Sequence, residues 1–157
     1  MKDTILVGLD TSSTKTGWSY YVNGNFADSG VLNFSKQKNS DIRMQDMVNS
    51  IYEKLSTLKV DIVAIETTAV TRNASSQRML TMILGAVYGW CVNNNVEFVM
   101  FRPSEWRALI SKEKKGRKRD ELKQWSVQTV EKLFRKKVSD GEADAILIAQ
   151  ALVNKYE

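Results

Sequence analysis

Three carboxylates stand at positions where a folded chain can gather them. Asp10 ends the apolar run TILVGLD, Glu66 ends the run VDIVAIE, and Asp144 lies near the start of the apolar stretch EADAILIAQAL. Ends of neighbouring buried strands lie side by side, and an apolar helix that opens at Asp144 has to pack on the sheet that those strands form. Asp140, four residues earlier, shares a helical face with Asp144 if the helix begins that soon. We therefore expect these four acids to form one cluster.

Such a cluster would need a cation. Carboxylates brought together repel one another and raise one another's pKa values. Oxygen ligands suit Mg²⁺, with Mn²⁺ as a substitute, better than zinc or copper. Two such ions stabilise the attacking and the leaving oxygen when a phosphodiester is hydrolysed. Each acid taken alone is explained as well by an ordinary strand end or helix start, so the expectation of a metal-dependent nuclease depends on the set.

The composition excludes several other mechanisms. The chain has no histidine, which rules out a Ser-His-Asp triad or a histidine-ligated zinc within it. Its single cysteine, Cys91, cannot form an internal disulfide, which favours the cytoplasm. With 43% apolar and 26% charged residues, the 157-residue chain is expected to be one soluble domain, 1–157. No apolar run approaches the ~20 residues of a membrane-spanning helix, so we expect no membrane partner.

Positive charge is concentrated in one part of the chain. Residues 102–137 hold 13 Lys and Arg against 5 Asp and Glu, whereas the whole chain has a net charge of +5. This asymmetry favours a surface for a polyanion such as DNA, although a solvated lysine-rich helix face would look the same. The expected phosphate-binding residues here and beside the loop after Glu66 are Arg72, Arg78, Lys112, Lys114, Lys115, Arg117, Lys118 and Arg119.

Apolar periodicity predicts the elements that position these residues. Strands are predicted at 4–10, 18–22, 26–34, 60–66 and 96–101, and helices at 41–58, 78–94, 103–109, 120–137 and 143–153. A basic loop occupies 112–119. Three leading strands followed by alternating strands and helices predict an α/β fold, with a mixed sheet flanked by helices.

The predicted helix 78–94 is too apolar for one buried face. Nine of its residues are large and apolar, and Gly85 and Gly89 would let another helix approach closely. A homodimer with two-fold symmetry through helix 78–94 would explain this composition. The alternative is that other parts of the same chain cover the helix.

The motifs together resemble the RuvC family of Holliday-junction resolvases. The similar segments are GLDTSSTKTGWSYY, IETTAVTRNASSQRM, FRPSEWRALI and EADAILIAQAL. The resemblance implies a ribonuclease-H-like fold, in which the first three of five strands are antiparallel. It also implies that Asp10, Glu66 and Asp144 bind metal, and that Arg107 takes the place of a lysine that contacts DNA. The compact length and lysine-rich linker resemble the divergent versions from lactococcal-type bacteriophages.

Two positions depart from the family pattern. Gly141 stands where bacterial members carry another acid or a histidine, and we expect Asp140 to substitute as fourth ligand. Ala69 stands where members often carry an aromatic wedge for the junction. This departure predicts less stringent junction opening.

The expected function is therefore metal-dependent, structure-selective cleavage of DNA. A homodimer would resolve Holliday junctions, and other branched DNA such as forks and flaps, by paired nicks. Three alternatives stay open at this point. They are an RNA-processing nuclease of the YqgF type, an inactive DNA-binding relative, and a single-lobe relative of actin/hexokinase-like ATPases, whose phosphate-binding hairpin resembles GLDTSSTKTG.

Overall fold

The computed structural model describes residues 2–67 and 73–157. Its strands are β1 (Ile5–Thr11), β2 (Lys15–Val22), β3 (Asn25–Asn33), β4 (Ile62–Glu66) and β5 (Glu97–Phe101). Its helices are α1 (Ser40–Leu58), α2 (Ala74–Asn93), α3 (Pro103–Ile110), α4 (Arg119–Phe134) and α5 (Asp140–Lys155). No helix among the described residues is long and apolar enough to cross a membrane.

The five strands form one mixed sheet in the order β3-β2-β1-β4-β5. β1, β2 and β3 are antiparallel neighbours, whereas β4 runs parallel to both β1 and β5. Asn23 and Gly24 make the β2–β3 turn with positive φ angles of 53° and 82°, as a tight hairpin requires. The mixed α/β fold with three antiparallel leading strands is confirmed.

Side chains along β1 alternate between two cores. Val7 and Leu9 pack with α1 and α2 on one face of the sheet, whereas Leu6 packs with α5 on the other. Because the alternation has a period of two, Gly8 and Asp10 face α5 as well. The same alternation applies to β4, so Glu66 also faces α5.

Helix α5 lies directly against the sheet. A Cβ at Gly8 would collide with the carbonyl oxygen of Ala145, so a residue without a side chain is needed for this close approach. Two buried side chains of β2 also form hydrogen bonds with α5. The Ser19 hydroxyl donates to the carbonyl of Ala145 over 2.8 Å, and the Tyr21 hydroxyl donates to the carbonyl of Ile146 over 3.0 Å. These contacts fix α5 relative to the ends of β1 and β4.

Three predicted helix boundaries were wrong. α2 begins at Ala74 rather than at residue 78, because the Asn73 side chain caps it by accepting the Ser76 backbone N–H. α4 begins at Arg119 and ends at Phe134, three residues before the predicted end, where Arg135 takes a left-handed conformation with φ 53°. α5 begins at Asp140, three residues earlier than predicted, so Asp140 and Asp144 do belong to one helix.

Candidate metal centre and nucleic-acid interface

Strand register places Asp10 beside Glu66. Leu9 of β1 is paired with Ile65 of the parallel strand β4, so the next residue of each strand is one of the two acids. Both side chains face α5. The sheet therefore positions two carboxylates next to each other at the ends of its central strands, as the sequence predicts.

The first turns of α5 add two further carboxylates. A Cβ added to Gly141 would lie 3.9 Å from Asp10 Oδ2, so the start of this helix stands over the strand ends. Asp144 Oδ1 is buried and has no hydrogen-bond partner. Asp140 is about half exposed and pairs with Lys123 of α4, with 3.0 Å between Oδ2 and Nζ. Asp144 therefore points an unsatisfied oxygen into the protein, whereas Asp140 is neutralised by a lysine.

The pKa values show that these acids lie within electrostatic reach of one another. Burial raises the pKa of Asp10 well above its ordinary value, and the charges of Asp144, Glu66 and Asp140 raise it further. Burial is also the main reason that the pKa of Asp144 rises to about 6; the Ser126 hydroxyl and the charge of Arg107 oppose the rise, and Glu66 and Asp140 add to it. Concentrated buried negative charge of this kind is typical of a cation site.

Glu66 and Asp140 each accept a hydrogen bond that acts to lower the pKa. Burial raises the pKa of Glu66, and a hydrogen bond from Trp106 and the charge of Arg107 oppose the rise. For Asp140, burial is outweighed by the hydrogen bond and charge of Lys123, so the pKa falls below its usual value. The four predicted ligands therefore differ, since the pKa is raised well above its ordinary value at Asp10, to about 6 at Asp144, and is lowered at Asp140.

The donor set fits a hard divalent cation. All the candidate ligands are carboxylate oxygens, and one of them, Asp144 Oδ1, lacks any partner in the protein. Within residues 2–67 and 73–157, no group of three such side chains is already arranged to hold an ion.

Arg107 of α3 lies at the edge of the acidic cluster. Its charge lowers the pKa values of Asp10, Glu66 and Asp144. Its guanidinium carbon lies 4.8 Å from the centre of the Trp106 ring, and its buried Nε has no hydrogen-bond partner. Arg107, the one basic residue identified only through the family resemblance, thus acts on three of the four acids.

The predicted basic loop spans residues 111–118, between α3 and α4. Its side chains at Lys112, Lys114, Arg117 and Lys118 are exposed, as is Arg119 at the start of α4. Lys115 is half-buried, with Nζ 5.5 Å from the centre of the Trp125 ring. A cavity of about 620 Å³ between this loop and α3 is lined by Arg102, Arg107 and Lys115 among others. Positive charge therefore continues from the loop to the acidic cluster.

Of the remaining predicted DNA-contacting positions, the structure describes only Arg78. Arg78 is exposed within α2, rather than at the end of a loop as the sequence predicts. Arg72 and Ala69 lie outside the described residues.

Sequence reasoning missed the contribution of Trp106. This residue of α3 is fully buried and donates a hydrogen bond from Nε1 to Glu66 Oε1 over 2.8 Å. The two residues are 40 positions apart. The only indication in the sequence is a tryptophan in a short amphipathic helix, and packing in the apolar core explains such a tryptophan equally well.

One face of α2 has no cover within the described part of the chain. Met79, Ile83, Val87 and Cys91 are buried against the sheet. On the opposite side Met82, Tyr88 and Val92 are between 50% and 60% exposed. A Cβ at Gly85 or Gly89 would meet nothing within 4 Å. The expected second apolar face is therefore present and exposed.

Comparison with known proteins assigns the family. The family model described as "Crossover junction endodeoxyribonuclease RuvC" matches residues 6–152. The chain belongs to the RuvC family. Membership of RuvC, a family of crossover junction endodeoxyribonucleases, supports the nuclease interpretation and excludes the ATPase alternative.

Individual RuvC relatives are distant in sequence. A RuvC of Orientia tsutsugamushi (strain Ikeda) is 29% identical over 153 residues, which cover 92% of each protein. A RuvC of Chlorobium phaeovibrioides is 26% identical over 113 residues, which cover 68% of this chain and only 59% of that relative.

Solved structures show the same fold. Thermus thermophilus RuvC in complex with Holliday junction substrate has a TM-score of 0.76 at 18% identity, covering 98% of this chain and 95% of that one. The yeast mitochondrial Holliday junction resolvase Ydc2 has a TM-score of 0.62 at 13% identity, covering 95% and 78%. The ribonuclease-H-like fold of RuvC is therefore confirmed for this chain.

Proposed function

We propose that this RuvC-family chain is a metal-dependent endonuclease that resolves Holliday junctions and cleaves related branched DNA. The observation that carries the proposal is the meeting of Asp10, Glu66 and Asp144 on one side of the sheet, beside a cavity lined by arginine and lysine. Carboxylates that can bind metal ions therefore lie next to basic side chains that can bind phosphate. We place the activity in the cytoplasm, which would be that of the host if the chain is encoded by a phage.

The ligands in this proposal are Asp10, Glu66 and Asp144, with Asp140 completing the set. RuvC-family nucleases depend on divalent metal ions, and the all-oxygen donors favour Mg²⁺, with Mn²⁺ as a substitute. When bound, such ions activate water and stabilise charge on the scissile phosphate. The sheet and α5 hold Asp10 and Asp144 in place, and Lys123 has to release Asp140 before Asp140 can act as a ligand.

The basic side chains outside the acidic cluster would bind the DNA strand. Arg107 acts electrostatically on three of the acids and also lines the basic cavity, so its guanidinium would bind a phosphate next to the metal site. Lys115 and the exposed loop residues Lys112, Lys114, Arg117, Lys118 and Arg119 would follow the backbone further away. Contacts of this kind give affinity without base specificity. We assign the same role to Arg72 and Arg78, on either side of the start of α2.

A second copy of the chain would cover the exposed face of α2. Met82, Tyr88 and Val92 supply apolar area, and Gly85 and Gly89 give room for a helix to approach. The groove between α1 and α2, about 380 Å³ and lined by Met44, Val48 and Met82 among others, continues this surface. A two-fold dimer would present two active sites to the two like strands of a junction.

The proposal is tested with the purified protein and four labelled substrates: a four-way junction, a fork, a linear duplex and an RNA–DNA hybrid. Each is incubated with Mg²⁺, with Mn²⁺ or with EDTA. We expect cleavage of the junction in both metals and none in EDTA. Cleavage of the fork at the same rate would follow from Ala69 at the wedge position and would broaden the substrate class. Cleavage of the hybrid alone would overturn the proposal in favour of an RNA-processing nuclease.

A further inference from the structure

Trp106 makes a direct hydrogen bond to Glu66, one of the acids of the cluster. The indole Nε1 donates to Glu66 Oε1 over 2.8 Å, and the Trp106 side chain is fully buried. Only one of the two carboxylate oxygens is used by this bond. Glu66 Oε2 is therefore the oxygen that the bond leaves for another partner.

Neighbouring contacts fix the start of α3, which carries the indole, relative to the end of β4. β4 and β5 are joined at their ends, where the Thr67 backbone N–H donates to the Phe101 carbonyl over 2.7 Å. α3 then begins at Pro103, and its first turn is closed by the Glu105 side chain, which accepts the Arg102 backbone N–H over 3.1 Å. The ring of Trp125 on α4 lies 6.4 Å from that of Trp106. The donor is thus fixed relative to the end of β4, where Glu66 lies.

The chemistry of indole suits a residue that orients a metal ligand. Its nitrogen is a donor only, so it has no lone pair with which to bind a cation in place of the carboxylate. It is also neutral, so it does not repel a cation as the neighbouring Arg107 would. Hydrogen bonds from outside the ligand set commonly orient metal-binding carboxylates in this way.

We propose that Trp106 is a positioning residue that fixes the Glu66 carboxylate through Oε1 and directs Oε2 towards a divalent cation. This inference rests on the proposed function, in which Glu66 is a ligand. It goes further in assigning to each Glu66 oxygen a separate partner, and in giving a buried tryptophan a role beyond packing.

The test compares Trp106→Phe with Trp18→Phe. The first change removes the Nε1 donor and keeps an aromatic ring, and the second makes the same change in a ring that packs in the other core of the sheet, beside Tyr20. Mn²⁺ binding is measured by the electron paramagnetic resonance signal of the free ion, and junction cleavage gives kcat and KM. We expect Trp106→Phe to weaken Mn²⁺ binding and lower kcat by about tenfold or more, with KM for the junction unchanged. Trp18→Phe should alter neither.

A merely structural role for Trp106 is tested by repeating the comparison in a Glu66→Gln background. If Trp106 acts through Glu66, Trp106→Phe adds little to the loss of Mn²⁺ affinity that Glu66→Gln already causes. An equal loss in both backgrounds, or no loss in the wild type, would overturn the inference. Wild-type protein that binds Mn²⁺ but cuts no branched DNA would instead overturn the proposed function, while the Mn²⁺ affinities would still decide the role of Trp106.

Discussion

At the scale of single residues, the acidic cluster opposes folding when no metal is bound. The pKa of Asp144 is about 6 in the folded protein, against an ordinary value of 3.8. Between these values the folded state binds more protons than the unfolded state, so the free energy of unfolding falls as pH rises through this window. A shift of about two pKa units corresponds to at most about 3 kcal/mol.

Asp144→Asn is therefore expected to stabilise the metal-free protein. In EDTA at about pH 8, the substitution should raise the free energy of unfolding by on the order of 1–2 kcal/mol, because the buried charge is gone. At about pH 4 the gain should nearly vanish, since Asp144 of the wild type is then protonated. Urea unfolding at the two pH values checks this. An equal effect at both would mean that the charge of Asp144 does not oppose folding.

Asp140 and Gly141 provide a second residue-scale prediction. Asp140→Asn should lower metal-dependent cleavage, but by less than Asp144→Asn, because Asp140 is half exposed and already paired with Lys123. Gly141 has room for a side chain beside Asp10 Oδ2, 3.9 Å from the added Cβ. Gly141→Asp in the Asp140→Asn background should then restore part of the rate. Full activity of Asp140→Asn alone would remove Asp140 from the ligand set.

At the scale of the elements, the position of α5 decides whether the acids meet. The helix has to approach β1 closely at Gly8, where a Cβ would collide with the Ala145 carbonyl and would lie 2.9 Å from the Ala149 Cβ. Gly8→Ala should therefore lower the free energy of unfolding by about 1–3 kcal/mol, as overpacking does. Gly141→Ala is the matched control within α5, since its Cβ would make only an ordinary contact. Urea unfolding of both variants in EDTA checks the prediction, and equal stabilities would contradict it.

The same elements show how far sequence alone could go. Alternation along β1 and β4 is a local property, so the two strand-end acids and the face that they share could be predicted from TILVGLD and VDIVAIE. The sequence predicted the start of α2 at residue 78 instead of Ala74, because the small and polar residues that follow the Asn73 cap are also typical of a loop. The Trp106–Glu66 bond joins residues 40 positions apart, and nothing local to either residue specifies it. Its existence depends on how α3 packs on the end of β4.

At the scale of the whole molecule, the exposed face of α2 predicts a dimer. Gly85→Arg should place a bulky charge where a second helix is expected to approach, and it should convert a dimer to a monomer. Gln128→Arg puts the same side chain on the exposed side of α4 and should leave the dimer intact. Light scattering after size-exclusion chromatography gives the masses. A wild-type protein that is monomeric at all concentrations would contradict the prediction.

The most direct test of the central claim is to map the nicks in a four-way junction labelled on each strand in turn. With Mg²⁺, the wild-type protein should cut two opposing strands at symmetric positions and leave 5′-phosphate ends. EDTA should abolish the cuts, and Asp10→Asn should reduce them by at least about a hundredfold, because Asp10 lies within electrostatic reach of the other three acids and is expected to hold the metal. Cleavage that survives EDTA or Asp10→Asn, or a junction left uncut in both Mg²⁺ and Mn²⁺, would contradict the account.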